Sequence, residues 1–86
     1  VEQFSRAIAP EIAPRRINVV SPGVIDTPMF GPESDQRQNI LQAATAKNLI
    51  QRAGTPEEVA KAIIFVVENA FVTGTTVEVD GGWILS

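Results

Sequence analysis

The 86-residue sequence predicts an α/β fold with a parallel sheet, and three observations support this prediction. Helix and strand patterns follow one another in the order helix, strand, loop, helix, helix, strand. The first strand pattern is a short β-branched run without polar alternation, as in strands that are buried on both faces of a parallel sheet. A helix separates the two strands, and a helical crossover places the strands it joins parallel to each other.

The first predicted helix spans residues 1–13. Its apolar residues recur at helical spacing and form one stripe: Val1, Phe4, Ile8 and Ile12. Pro14 ends this helix, and Arg15 and Arg16 suit the negative charge at a helix C-terminus. Because no capping residue precedes the stripe, we expect the chain to continue a longer protein on its N-terminal side.

The middle of the chain is predicted as strand, loop and helix. Residues 17–21 form the β-branched strand, and residues 24–32 form a loop because they contain two prolines and a glycine after Pro22-Gly23. Ser34 is the expected cap of a helix that reaches about residue 47, with three residues directed inward: Ile40, Leu41 and Ala44.

The last helix has the clearest start in the sequence. Thr55 is its expected cap, Pro56 occupies the first helical position, and Glu58 completes a capping box. The helix extends to about residue 68 and is apolar nearly all round, which predicts burial on two sides. A strand at residues 75–79 follows. Two short strands cannot cover a strand that is apolar on both faces, so we expect the rest of the sheet to lie outside this chain.

The composition excludes several classes of function. A net charge of −3 argues against nucleic acid or an anionic membrane as the main partner. The absence of cysteine excludes disulfides and favours the cytoplasm. The chain also contains no histidine and no tyrosine, so we expect neither a metal site nor a catalytic residue within it.

Two adjacent segments suggest ligand binding at the carboxyl end of the first strand. In open α/β sheets ligands bind at this edge, and Pro22-Gly23 has no bulky side chain to keep a flat ring away. Beyond it, the backbone amide and carbonyl of Ile25 and the hydroxyl of Thr27 could bind a carboxamide. The alternatives are a plain turn for the first segment and local turn bonds by Asp26 and Thr27 for the second.

One acidic residue follows the last strand. Asp80 precedes two glycines and could be a catalytic acid, but a turn is the better interpretation because no base is close in sequence.

Taken together, these segments resemble the C-terminal region of the short-chain dehydrogenase/reductase family. The resemblance covers essentially the whole chain and depends on segments that occur in one order with compatible spacing: Ala13-Pro14, residues 17–20, Ser21-Pro22-Gly23, Thr27-Pro28, residues 52–60, and residues 73–82. It implies a Rossmann-type doubly wound parallel sheet, of which this chain supplies the last two strands with their helices.

The resemblance also implies roles for individual residues. Pro22 and Gly23 would lie against the nicotinamide of NAD or NADP, and Ile25 (by its main chain) and Thr27 (by its hydroxyl) would bind the carboxamide. Residues 28–50 would form a lid over an alcohol or ketone substrate. Two residues are candidate lid contacts: Met29 and Phe30.

Other family elements are missing from this sequence. The family's catalytic serine, tyrosine and lysine and its glycine-rich phosphate loop would precede Val1, so residues 1–86 are interpreted as the C-terminal portion of a single oxidoreductase domain. Alone, the chain is expected to be inactive, and its apolar surfaces should be covered by the missing N-terminal part or by a homo-oligomer. The alternative is a catalytically inert fragment that acts only as an assembly module.

Overall fold

The computed structural model describes residues 1–85, which contain three α-helices and two β-strands. In chain order these elements are α1 (Glu2–Ile12), β1 (Val19–Pro22), α2 (Asp35–Ala44), α3 (Pro56–Glu68) and β2 (Thr76–Val79). Short 3-10 turns form at Pro28–Phe30 and Trp83–Leu85. The predicted order of elements is therefore confirmed, although β1 begins two residues later than expected and α2 ends at Ala44.

The two strands pair in parallel, as predicted. Their register aligns Val19 with Thr76 and Pro22 with Val79. The amide of Gly23 extends the ladder by donating to the Val79 carbonyl at 2.9 Å. Helix α3 connects the strands and contacts both of them, so the crossover rule predicted this arrangement correctly.

Helix α3 starts at the predicted capping box. The Thr55 hydroxyl accepts the amide of Glu58 at 3.2 Å, and the Glu58 carboxylate accepts the amide of Thr55 at 2.9 Å. The carboxylate also accepts two hydrogen bonds from Arg52, each 2.9 Å long. Hydrogen bonding from Arg52, and then from the Thr55 amide, lowers the pKa of Glu58 to about 2.

The end of α3 is held by Arg16, not by a residue of its own helix. The guanidinium donates to four carbonyls near the C-terminus of α3: those of Val66 at 2.6 Å, Val67 at 2.8 Å, Asn69 at 3.2 Å and Val72 at 3.0 Å. The expectation that Arg16 would serve the end of α1 is thus wrong for its side chain. The attraction of a cation to a helix C-terminus acts here between Arg16 and α3 instead of α1.

Burial follows the sequence patterns only in part. In α2, Leu41 is buried as predicted, whereas Ile40 and Ala44 are exposed and the charged Arg37 is buried instead. In α3, Val66 is buried but its neighbours Ile64 and Phe65 are each about half exposed, at 52% and 50%.

The expected burial of α3 on two sides and of β1 on both faces is therefore not found within residues 1–85. The physical reason is that the two strands form the whole sheet in this part of the chain and no second layer covers it. The apolar stripe of α1 is likewise uncovered at Val1 and Phe4.

The described chain is also extended for its size. Its radius of gyration is 15.5 Å, compared with about 12 Å for a compact domain of this length. None of the helices in residues 1–85 is both long enough and apolar enough to cross a membrane.

Candidate functional site

A cavity of about 580 Å³ lies at the carboxyl end of β1. One wall is the segment that follows the strand, and the other is the N-terminal half of α3. The lining includes every site residue proposed from the sequence: Pro22, Gly23, Ile25, Thr27, Met29 and Phe30. Five further residues complete it: Val24, Pro56, Val59, Ala60 and Ile63. The structure therefore brings the predicted site residues together at the predicted edge of the sheet.

Gly23 lies where the backbone of β1 approaches the end of β2. A Cβ atom at this position would be 2.9 Å from both Cα and Cβ of Asp80. Because such a separation requires the backbone to shift, the close approach of the two strand ends depends on glycine. Pro22 is itself the last residue of β1 and aligns with Val79. The Pro-Gly pair thus ends a paired strand at the cavity, and Gly23 adds no side chain there.

The backbone around Ile25 has a geometry suited to an amide ligand. Gly54 donates to the carbonyl of Val24 at 2.9 Å and accepts the amide of Asp26 at 2.8 Å. In this parallel bridge the backbone groups alternate in direction, so the amide and carbonyl of Ile25 point away from Gly54. One donor and one acceptor are therefore presented side by side, which is the complement of a primary carboxamide.

Thr27 is the one residue with a polar side chain among those that line the cavity. Its hydroxyl oxygen is buried and has no hydrogen-bond partner among the residues that the structure describes. A buried hydroxyl without a partner costs about 1–3 kcal/mol, so a rotation of the side chain that brought the hydroxyl to a bound ligand would recover this energy. The local turn bond that the alternative interpretation assigned to the Thr27 side chain is not present in residues 1–85.

The side chain of Asp26 forms an ion pair rather than a turn bond. Its carboxylate pairs with Arg37 of α2. Arg37 is 8% exposed, and it also donates to the carbonyl of Thr27 and to the carboxylate of Glu33, both at 3.2 Å. Arg37 was not among the site residues predicted from the sequence. Its spacing from Glu33 was a usable signal, but its pairing with Asp26 depends on a loop conformation that periodicity does not reveal.

The two lid candidates differ in exposure. Both belong to the 3-10 turn Pro28–Phe30 at the edge of the cavity. Met29 is 85% exposed, whereas Phe30 is partly buried. Met29 is therefore the one that a bound molecule could still cover.

Asp80 is a turn residue, as the sequence predicted. One carboxylate oxygen accepts the amide of Gly82 at 2.9 Å, and the other accepts the amide of Ile84 at 3.3 Å. Asp80 does not line the cavity, and none of the residues that line it is ionisable. The cavity therefore combines an apolar lining with the free backbone groups of Ile25, and it does not itself supply an acid or a base.

Comparisons with known proteins match nearly the whole chain. A family model described as enoyl-(acyl carrier protein) reductase matches residues 1–84. A short-chain dehydrogenase/reductase, ATR9 of Stachybotrys chlorohalonatus, is 44% identical over 99% of this chain, which spans 34% of that protein.

Solved structures also resemble the chain over nearly its whole length. The MalC reductase/Diels-Alderase of Malbranchea aurantiaca has a TM-score of 0.85 and 36% identity, over 100% of this chain and 34% of its own. A small-chain dehydrogenase in complex with NADPH has a TM-score of 0.82 and 32% identity, over 99% of this chain and 39% of its own. The chain thus spans about a third of the length of the relatives that it matches.

Proposed function

The chain belongs to the short-chain dehydrogenase/reductase family, and from this premise we propose that it forms the nicotinamide side of the active site in a longer NAD(P)-dependent oxidoreductase. The proposed reaction is the interconversion of alcohols and carbonyl compounds. The observation that carries the proposal is the unpaired, buried hydroxyl of Thr27 close in sequence to the outward-directed amide and carbonyl of Ile25. A bound NADPH in a structural relative of 32% identity supports the same assignment.

Six residues of the cavity have a part in this proposal. Pro22 and Gly23 would lie against the ring, and Ile25 and Thr27 would hold its carboxamide and so fix which face is presented to the substrate. Met29 and Phe30 would cover the substrate and exclude water. The nicotinamide, when bound, supplies or accepts the hydride. Proton transfer and binding of the pyrophosphate belong to residues that precede this chain in the longer protein.

The substitution Thr27→Val tests the proposal in the complete protein. The side chain keeps its shape but loses its hydroxyl, so NAD(P)H binding should weaken by about 0.5–1.5 kcal/mol while substrate affinity changes less. Thr76→Val is the matched control, since this threonine is in β2 and does not line the cavity. Equal cofactor affinities for the parent and Thr27→Val would contradict the proposed role.

A second candidate function is assembly without catalysis, and the exposed apolar residues favour it. Phe71 is fully exposed, and Phe4 and Leu85 are 65% and 77% exposed. We propose that copies of the protein cover these side chains in this second function, whereas in the enzyme residues that precede this chain would cover them. The intact mass of the source protein separates the two candidates. A mass about three times the 9.2 kDa of this chain supports the enzyme, and a mass of 9.2 kDa supports the assembly module.

A further inference from the structure

We propose that Arg37 is a positioning residue for the nicotinamide end of the site, acting through the loop that carries Ile25 and Thr27. This inference rests on the proposed function. Arg37 does not line the cavity, and it belongs to α2, which follows the loop in sequence. Its side chain nevertheless reaches back to the segment that presents the polar groups of the site.

The contacts of Arg37 are concentrated on that segment. Its Nη2 atom pairs with the carboxylate of Asp26 and also donates to the carbonyl of Thr27 at 3.2 Å. Asp26 lies between the two residues that would bind the carboxamide. One nitrogen therefore fixes the side chain of Asp26 and the backbone of its neighbour at the same time.

The guanidinium end of this ion pair is withdrawn from water. The Arg37 side chain is 9% exposed, whereas its acidic partners Asp26 and Glu33 are 43% and 72% exposed. A charge withdrawn from water has to be compensated by close partners, and removing one of those partners leaves the other uncompensated. The pairing with Asp26 should therefore persist, whereas an exposed pair such as that with Glu33 contributes little.

A role limited to stabilising α2 does not account for these contacts. The first turn of α2 is capped by Ser34, whose hydroxyl accepts the backbone amide of Arg37 at 3.1 Å. This cap does not need the guanidinium. The guanidinium instead connects α2 to residues 26 and 27, so the helix and the loop are held as one unit. A loop that is ordered before the ligand arrives loses less entropy on binding.

The test compares two ligands in the complete protein, NAD(P)H and the matching ADP-ribose, which lacks the nicotinamide ring. Affinities are measured by isothermal titration calorimetry for the parent, Arg37→Met and the control Arg15→Met. The control removes an exposed arginine that does not line the cavity. We expect Arg37→Met to weaken NAD(P)H binding about tenfold and to leave ADP-ribose binding unchanged, whereas Arg15→Met should change neither affinity.

A conservative variant and a double variant sharpen the test. Arg37→Lys keeps the charge but lacks the planar fork, so it should show an intermediate loss that is again confined to NAD(P)H. This variant carries the comparison if Arg37→Met does not fold. In a Thr27→Val background, Arg37→Met should cause a smaller further loss than in the parent, because both substitutions affect one contact.

The outcomes separate this inference from the proposed function. An equal loss of affinity for both ligands, or losses that are additive with Thr27→Val, would overturn the role of Arg37. An effect of Thr27→Val without one of Arg37→Met or Arg37→Lys would overturn this inference alone. A complete protein that does not bind NAD(P)H would overturn both.

Discussion

At the scale of single residues, two features characterise the cavity. Gly23 has no side chain, and the hydroxyl of Thr27 has no hydrogen-bond partner in residues 1–85. The absent side chain of Gly23 lets the ends of the two strands meet, because any Cβ would press on the backbone of Asp80. The buried hydroxyl of Thr27 is left without a partner in residues 1–85. Gly23 therefore determines how closely the two strand ends approach, and Thr27 is the polar side chain of the cavity lining.

Gly23→Ala should therefore destabilise the protein by about 1–3 kcal/mol, as overpacking does in a dense region. Gly54→Ala is the matched control. Its Cβ would also approach an atom at 2.9 Å, but that atom is Cδ1 at the far end of the Ile25 side chain and can rotate away. Thermal unfolding of the complete protein measures both variants. A Gly54→Ala variant with the lower Tm would show that backbone proximity at Asp80 is not what limits position 23.

At the scale of elements, α3 determines the opposite wall of the cavity and is held at both ends. Its start is fixed by the capping box and by Arg52, and its end by Arg16. Three residues of its first two turns line the cavity: Pro56, Val59 and Ala60. The position of this wall therefore depends on polar contacts that lie outside the cavity.

The Arg52–Glu58 ion pair at the start of α3 should contribute less to stability in acid. Hydrogen bonding from Arg52 lowers the pKa of Glu58 from its usual 4.5 to about 2. A carboxylate with a lowered pKa stabilises the fold fully above its unfolded pKa and loses this contribution as the pH falls toward its folded pKa. The difference in Tm between the parent and Glu58→Gln should thus be largest above pH 4.5 and shrink as the pH is lowered toward 2.

Glu57→Gln provides the control for this pH dependence. Glu57 is in the same turn but forms no ion pair within the described residues 1–85. Its Tm difference from the parent should change less over the same range. A Glu58→Gln difference that stays constant from pH 6 to pH 3 would contradict the role assigned to the Arg52–Glu58 pair.

At the scale of the whole molecule, many apolar side chains whose sequence pattern predicts burial are exposed in residues 1–85. Among large apolar side chains, Leu41 and Val66 are the ones buried in this part of the chain. The outer face of α3 contributes Ile64, Phe65 and Val67 to the exposed surface. Contiguous apolar surface of this kind is uncommon on soluble monomers, and an open strand edge invites pairing.

We therefore expect that the isolated 86-residue chain does not persist as a folded monomer. Analytical ultracentrifugation at micromolar concentration should show association, and Phe65→Glu should reduce it because a charge is placed on the outer face of α3. Lys47→Glu, at an exposed position outside α3, is the control and should leave the association unchanged. One species at 9.2 kDa that unfolds cooperatively would disprove this expectation.

The sequence by itself determined the order of the elements, the parallel pairing of β1 and β2 and the start of α3. These features depend on local propensities, on capping and on the crossover rule, all of which act over short distances along the chain or on its connectivity. The six residues expected at the site depended also on the family resemblance, and the structure places all six in the lining of one cavity. Only the tertiary structure decided that Arg37 pairs with Asp26, that Arg16 holds the end of α3, and that α3 is covered on one side only within residues 1–85. Arg16 and its carbonyl partners are 50 or more residues apart. A long charged side chain has many possible partners at that separation, and the packed backbone selects among them.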